Sequence, residues 1–424
     1  MKSLLDTIFL RSNNLDLVSQ KIKDLTKNTP VYKIFEIINS YSSDSEIRYV
    51  GGCIRKILNN EKVDDIDLAT NLEPQIICEI LEKNNINYYE TGIEHGTVVV
   101  LLESYKFEIT SLREDISTDG RHAKVKFSKN WKDDASRRDF TINSIYSDNE
   151  GNLFDPFNGK KDLENGLINF IGDTDARVKE DYLRILRYLR FFANYSKQPH
   201  NLEVIRKLKI NIGGVLKLSK ERLLDELKKI IEIETLEKIV KNKISLDLFQ
   251  IIFPELKNIS FFSKLDSKKK ELIKDADFIF LISLMIVDKT DNADYFIYKF
   301  NISKKDKKRI KIIHNFYNKK IQSKKFTEDK INKIFYFDGR QAVIDILNYQ
   351  LIKSKKLDQN LEELIKLYKH KEIPKMPIGA EVLMTKFNIP EGKQLGLKLK
   401  LIEEEWVRNN FIISDDQVNN IIEN

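Results

Sequence analysis

Cysteine is nearly absent. The 424-residue chain has two, Cys53 and Cys78, too few for a disulfide framework, which points to a reducing compartment. Histidine is sparse as well, at five, and no His-Asp step or paired His/Cys spacing occurs, which argues against a zinc site. Long apolar runs are missing. The longest, Phe278 to Val287 (FIFLISLMIV), is too short to span a bilayer and reads as a buried core helix. The N-terminal stretch mixes acidic and basic charge and lacks a signal-peptide pattern, so a soluble, cytoplasmic protein without a membrane partner is expected. No repeat of fixed period is visible. Nor is there a large excess of one charge: Lys+Arg is 72 against Asp+Glu 65, a net of +7 that is compatible with a nucleic-acid partner but weak as a signal.

What is present is an ordinary globular balance, 41% hydrophobic and 32% charged, in a chain long enough for two to four domains. Its two halves differ in texture. Up to about residue 160, short β-rich runs alternate with turns: IRYVGG, GTVVVLLE, YKFEIT and VKF read as strands. After Glu180 glycine is scarce, and DYLRILRYLRFF, RLLDELKKIIEI and LEELIKLYK carry apolar residues at helical spacing. The fold class is therefore α+β, a small mixed-sheet head followed by an all-helical neck, body and tail. The boundaries are placed at 1–150, 151–215 and 216–424. Lysine-rich stretches at 263–274 and 303–325 interleave basic and apolar residues, as a solvated helix face or an RNA-backbone contact surface would.

Residues 63–70, VDDIDLAT, crowd three aspartates around Ile66. On a strand, Asp65 and Asp67 share one face, about 7 Å apart, while Ile66 turns into the core. Such a pair can converge on metal ions; a polar edge strand would read the same way. Upstream, RYVGGCIRKIL meets Gly51-Gly52 between a strand and a helix, where backbone N–H groups, Gly52 foremost, can approach a phosphate. Arg55, one turn on, could reach the same phosphate. In YKFEITSLRED, Phe107 and Ile109 face one way and Glu108 the other, so a neighbouring strand could bring Glu108 beside the aspartates.

These residues, with Asp119-Gly120-Arg121-His122-Ala123, Arg137-Arg138-Asp139-Phe140-Thr141-Ile142-Asn143, Asp155-Pro156-Phe157 and Glu180-Asp181-x-x-Arg184-x-x-Arg187-x-x-Arg190-Phe191, occur in a fixed order over roughly residues 47–193. The set resembles the polymerase-beta-type nucleotidyltransferases, and more narrowly the class II CCA-adding enzymes and related bacterial poly(A) polymerases. The resemblance implies template-independent addition of CCA to the tRNA 3′ end from CTP and ATP. It implies Asp65 and Asp67 as ligands of two Mg²⁺ ions, with Glu108 as third carboxylate. Gly52, Arg55, Arg121, Asp181, Arg184, Arg187 and Arg190 would bind the nucleotide, and the helical half would bind tRNA.

Asp181 and Arg184 also make chemical sense as base readers. At i, i+3 on a helix they are neighbours. A carboxylate accepts and a guanidinium donates, which matches the amino donor and ring acceptor shared by cytosine and adenine and mismatches uracil and guanine. A salt-bridged amphipathic helix is the plainer reading. Arg187 and Arg190 continue the series toward the triphosphate or the pocket wall. Arg138-Asp139 reads as partly structural and Asn143 as a local hydrogen-bonding residue. Lys56 stands where many members carry Asp, and no His-Asp phosphohydrolase segment follows. Poly(A) polymerase, CC-only or A-only addition, and a non-catalytic RNA-binding protein on the same fold remain rival readings.

Overall fold

The structure, a computed structural model, describes residues 17–90, 92–118, 123–322, 328–354 and 358–423. The chain forms two compact units. One runs to Ile230 and takes in Asn242–Ile252; the other comprises Ile231–Lys241 and the chain from Phe253 onward.

The first unit is built on a sheet of β1 (Ile47–Val50), β2 (Ile66–Thr70), β3 (Asn87–Tyr89), β4 (Thr97–Leu102), β5 (Tyr105–Ser111), β8 (Tyr146–Ser147) and β9 (Leu153–Phe154), in the order β3-β4-β5-β2-β1-β8-β9. Strands β6 (Arg113–Thr118) and β7 (Ala123–Phe127) pair separately. The four runs that read as strands are β1, β4, β5 and β7. Every neighbour in the large sheet is antiparallel except β2 and β5, which run parallel.

Helices cover one sheet face: α1, helical over residues 17–28, α2 (Val31–Asn39), α3 (Gly52–Leu58) and α4 (Pro74–Lys83). Strand alternation fills that layer. Tyr49, Leu68, Val98, Val100, Phe107 and Ile109 pack against Phe35 and Ile38 of α2, Ile54 of α3 and Leu81 of α4. Each such buried side chain contributes roughly 1.5–3 kcal/mol relative to exposure. The residues between them in β2 and β5, Asp67 and Glu108, are left on the other face.

The helices that follow are α5 (Trp131–Ser136), α6 (Gly159–Asn165), α7 (Thr174–Glu180), α8 (Leu183–Tyr195), α9 (Leu202–Asn211) and α10 (Lys220–Ile230). Helix α8 buries Ile185, Leu186, Tyr188, Leu189 and Phe191 and turns Arg184, Arg187 and Arg190 to its other side, as the period requires. Phe191 and Phe170 meet Phe140 at ring-centroid distances of 5.4 and 4.6 Å, joining the helices to the segment after α5.

The second unit has helices and no strand among the described residues. Helix Phe278–Ile286 is buried from Ile279 to Ile286, as its unbroken apolar run predicts. No helix among the described residues is long and apolar enough to cross a membrane. In Lys304–Gln322, Ile310, Ile313 and Phe316 are buried, while Lys304, Lys305, Lys307, Lys308 and Lys311 are exposed. In the other lysine-rich stretch Lys269 is buried and donates to the Ser354 carbonyl at 2.5 Å.

Candidate active site

The parallel register of β2 and β5 sets Asp67 directly beside Glu108. Asp65 lies one residue before β2, exposed at its mouth, because the strand begins at Ile66 and not at Asp65. Burial raises the pKa of Asp67, and the charges of Glu108 and Asp65 add to it, against a partial offset from Arg138 and Arg55. The face therefore carries negative charge that the protein only partly neutralises. Lys106, two residues back on the same side of β5, is drawn to it and holds Glu108 at 2.6 Å. Among the described residues no three acidic, histidine or cysteine side chains form a metal cage of their own. The donors present suit Mg²⁺, a hard ion that binds through one or two carboxylates and completes its shell with water and substrate phosphate. The third crowded aspartate is engaged elsewhere. Asp64 accepts Lys56 at 3.1 Å on the surface, with Lys62 at 3.8 Å. Lys56, which departs from the family pattern, is thus paired with Asp64.

The glycine turn lies against this face. Gly51 has φ 66°, which a side chain resists, and its N–H is taken by the Ile145 carbonyl at 3.1 Å. A Cβ on Gly52 would stand 3.8 Å from Asp67 Oδ2 and 3.9 Å from Arg55 Nη2, so the turn, the carboxylate and the guanidinium meet there. Arg55, the candidate phosphate ligand, is packed among neighbours beside the glycine turn. It is only 7% exposed, donates to Asn143 Oδ1 and lies 4.8 Å from the Phe191 ring and 5.1 Å from that of Tyr195. Its charge acts on Asp67.

From Arg55 a chain of buried polar contacts runs into the helices. Asn143 donates to Asp139 at 2.9 Å, and Arg187 Nε donates to the other Asp139 oxygen at 2.5 Å. Burial pushes Asp139 up, but the Arg187 charge and the Asn143 hydrogen bond outweigh it and bring its pKa to about 2. Arg190 Nε donates to Glu226, 2% exposed, at 2.6 Å. Both guanidiniums lie over Phe191, at 5.3 and 4.3 Å. Arg187 and Arg190 are thus each paired with a buried carboxylate, Asp139 and Glu226.

Sequence reasoning missed Asp134. Its buried carboxylate takes both Arg137, at 2.6 Å, and Arg138, at 3.0 Å, and accepts Tyr146 Oη at 2.6 Å. Burial opposes its charge, yet the two arginines hold the carboxyl well below the usual range. Arg138 Nη1 reaches 3.4 Å from the Cβ position of Gly51, and its charge acts on Asp67. The i, i+4 spacing of Asp134 and Arg138 was the available signal.

The base-reading pair requires a correction. Asp181 is not on a helix with Arg184. Helix α7 ends at Glu180, Asp181 is extended (φ −152°, ψ 105°), and α8 begins at Leu183. The two side chains do not bond each other. Asp181 Oδ1 accepts the Leu183 N–H at 3.1 Å and Oδ2 accepts Arg222 Nη2 at 2.7 Å. Arg184 Nη1 donates to Glu180 and to the Arg177 carbonyl, both at 2.7 Å. Arg121 and His122 lie outside the described residues.

Comparison with known proteins gives the family and the fold. The family described as "Poly A polymerase head domain" matches residues 47–169, and one described as "Probable RNA and SrmB- binding site of polymerase A" matches 199–260. The mitochondrial CCA tRNA nucleotidyltransferase 1 of Mus musculus is 32% identical over 378 residues, 88% of this chain and 85% of that one. The chain belongs to the CCA-adding enzyme family. It is accordingly a nucleotidyltransferase. The CCA-adding enzyme of Staphylococcus haemolyticus is also 32% identical, over 71% of this chain and 72% of its own. Among solved structures, the Bacillus stearothermophilus CCA-adding enzyme in complex with CTP shares the fold, with a TM-score of 0.68 at 18% identity over 93% of this chain and 97% of that one. The α+β class, a seven-stranded mixed sheet followed by helices, is thus the CCA-adding enzyme fold.

Proposed function

We propose that this CCA-adding enzyme acts in the cytoplasm, adding C, C and A to the 3′ end of tRNA from CTP and ATP and releasing pyrophosphate. The observation that carries the reading is the Asp67–Glu108 register with Asp65 at the strand mouth, a carboxylate face whose charge is left in excess. Asp65, Asp67 and Glu108 would hold two Mg²⁺ ions, which when bound supply Lewis acidity toward the RNA 3′-hydroxyl and the departing pyrophosphate. Gly52 leaves the approach to Asp67 open to a triphosphate. Arg55 and Arg138 set the charge beneath it. Arg187 and Arg190, fixed by Asp139 and Glu226, keep the wall in place, and Arg121 contacts the nucleotide.

Asp181 accepts the amino group of cytosine or adenine, and Arg184 donates to the ring nitrogen beside it. The bonds each already makes do not preclude this: a carboxylate offers about four acceptor sites and a guanidinium five donors. On this reading residues 1–150 carry the chemistry, 151–215 select the base and 216–424 hold the tRNA.

The test is a tRNA transcript ending at the discriminator base, incubated with Mg²⁺ and each nucleotide singly, then with CTP plus ATP, and read on a sequencing gel. Two additions with CTP and a third only when ATP joins support the reading. Long A-tails on unrelated RNA, or no extension, overturn it.

A further inference from the structure

The base reader sits at a break between helices, and a break alone does not fix a side chain. The Leu183 N–H holds one oxygen, Oδ1, at 3.1 Å; the restraint on the other comes from α10, and that on the next residue from the segment between α9 and α10. Arg222 of α10 grips Asp181 Oδ2 at 2.7 Å, 41 residues away in sequence. The next residue, Tyr182, is seated on Gly214: a Cβ there would stand 2.1 Å from ring carbon Cε1 and 2.2 Å from Cδ1. Lys217 Nζ lies 5.7 Å from the same ring centroid. Only glycine admits the ring at this distance.

We infer that Arg222 and Gly214 form a seat that holds Asp181 in its base-reading orientation, making Arg222 a positioning residue for nucleotide choice. The inference rests on the reading of Asp181 given above. A carboxylate accepts from any donor, so the atom it accepts from is decided by orientation alone. Asp181 and Arg184, three residues apart and of opposite charge, would neutralise each other if both were free. Arg222 draws the first one way while Glu180 draws the second another, at 2.7 Å in each case. The amino-accepting and ring-donating groups are thereby kept apart. Without the seat, Asp181 turns toward Arg184 or toward the imino N–H of uracil, and the code degrades while the carboxylate face of β2 and β5 is untouched.

The experiment measures single-nucleotide addition by the full-length protein on a tRNA ending at the discriminator base, with CTP and with UTP. The variants are Arg222→Gln, Arg222→Lys, Gly214→Ala and Asp181→Ala, and thermal unfolding confirms that each is folded. General loss of structure lowers both nucleotides alike; loss of the seat lowers their ratio. We expect Arg222→Gln to reduce the CTP/UTP ratio of kcat/KM by about tenfold, mainly through a higher KM for CTP, the scale of one lost charged hydrogen bond. Arg222→Lys recovers part of the ratio, and Gly214→Ala moves it the same way as Arg222→Gln by displacing Tyr182. Should Arg222→Gln not fold, Gly214→Ala and Arg222→Lys decide the matter. Retention of the wild-type ratio within about twofold by the folded Arg222 and Gly214 variants, while Asp181→Ala loses it, overturns the seat alone. Retention of the ratio by Asp181→Ala overturns the base-reading role itself, and the seat with it.

Discussion

The face of β2 and β5 and the start of α8 are both charged, and they handle charge in opposite ways. On the sheet, Asp67 is half-buried beside Glu108 and near Asp65, and its pKa is raised by burial and by its own neighbours. At α8 every charge has a counterpart: Asp181 with Arg222, Arg184 with Glu180, Arg187 with Asp139, Arg190 with Glu226. Unbalanced charge is a demand for something from outside, on the proposed reading cations and the triphosphate they accompany. Balanced charge has already been organised by the fold and can serve selection, which needs fixed orientation more than strong fields. On the proposed reading, chemistry and choice are divided between two surfaces of one unit.

The largest effect separating them is expected at Asp67. Asp67→Ala should reduce kcat on the order of 10³-fold or more, the scale of losing metal-centred charge stabilisation. Its stability should be unchanged or higher, since a carboxylate with raised pKa is being removed. Extension kinetics beside a denaturant melt check both halves, and a large loss of stability would count against the account.

Asp139→Asn should do the reverse. It leaves Arg187 beside Phe191 without its anion and is expected to destabilise by about 3 kcal/mol, read by urea unfolding. Activity should fall less than in Asp67→Ala as long as the protein remains folded.

Within the same helical layer, His200 gives a pH signature. It stacks on Phe192 with centroids 3.5 Å apart, bonds Ser245 at 2.9 Å, and burial lowers its pKa from 6.5 to about 4. Between those values the unfolded chain binds a proton that the folded one does not. The contribution is therefore complete above pH 6.5 and is lost as pH falls toward 4. Melting temperature should decline over that window, and His200→Gln should flatten the decline.

The smallest effect belongs to Lys56. Its pair with Asp64 is a surface contact, so Lys56→Ala should change stability by less than about 1 kcal/mol and leave extension nearly intact. A loss approaching that of Asp67→Ala would place Lys56 in the site.

Much of the sheet face was legible in sequence because strand alternation is local. Phe107 and Ile109 had to go inward, so Glu108 had to go out, and the same logic turned Asp67 away from Leu68. The start of α8 was less legible. The apolar period of DYLRILRYLRFF runs on through Asp181, although the helix begins at Leu183, so periodicity concealed the break. The partners that then decide each arginine lie far along the chain. Arg222 is 41 residues from Asp181, and Asn143 is 88 from Arg55. No spacing rule of helix or strand spans such distances, which is why the packing of Arg55 against Asn143, Phe191 and Tyr195 could not be read in advance.

The most direct measurement is calorimetric binding of CTP and UTP, with and without Mg²⁺, to the wild type, Asp67→Ala and Asp181→Ala. The division of roles predicts that Asp67→Ala loses the Mg²⁺ dependence and keeps the preference for CTP, while Asp181→Ala keeps the Mg²⁺ dependence and loses the preference. The same losses in both variants would contradict it.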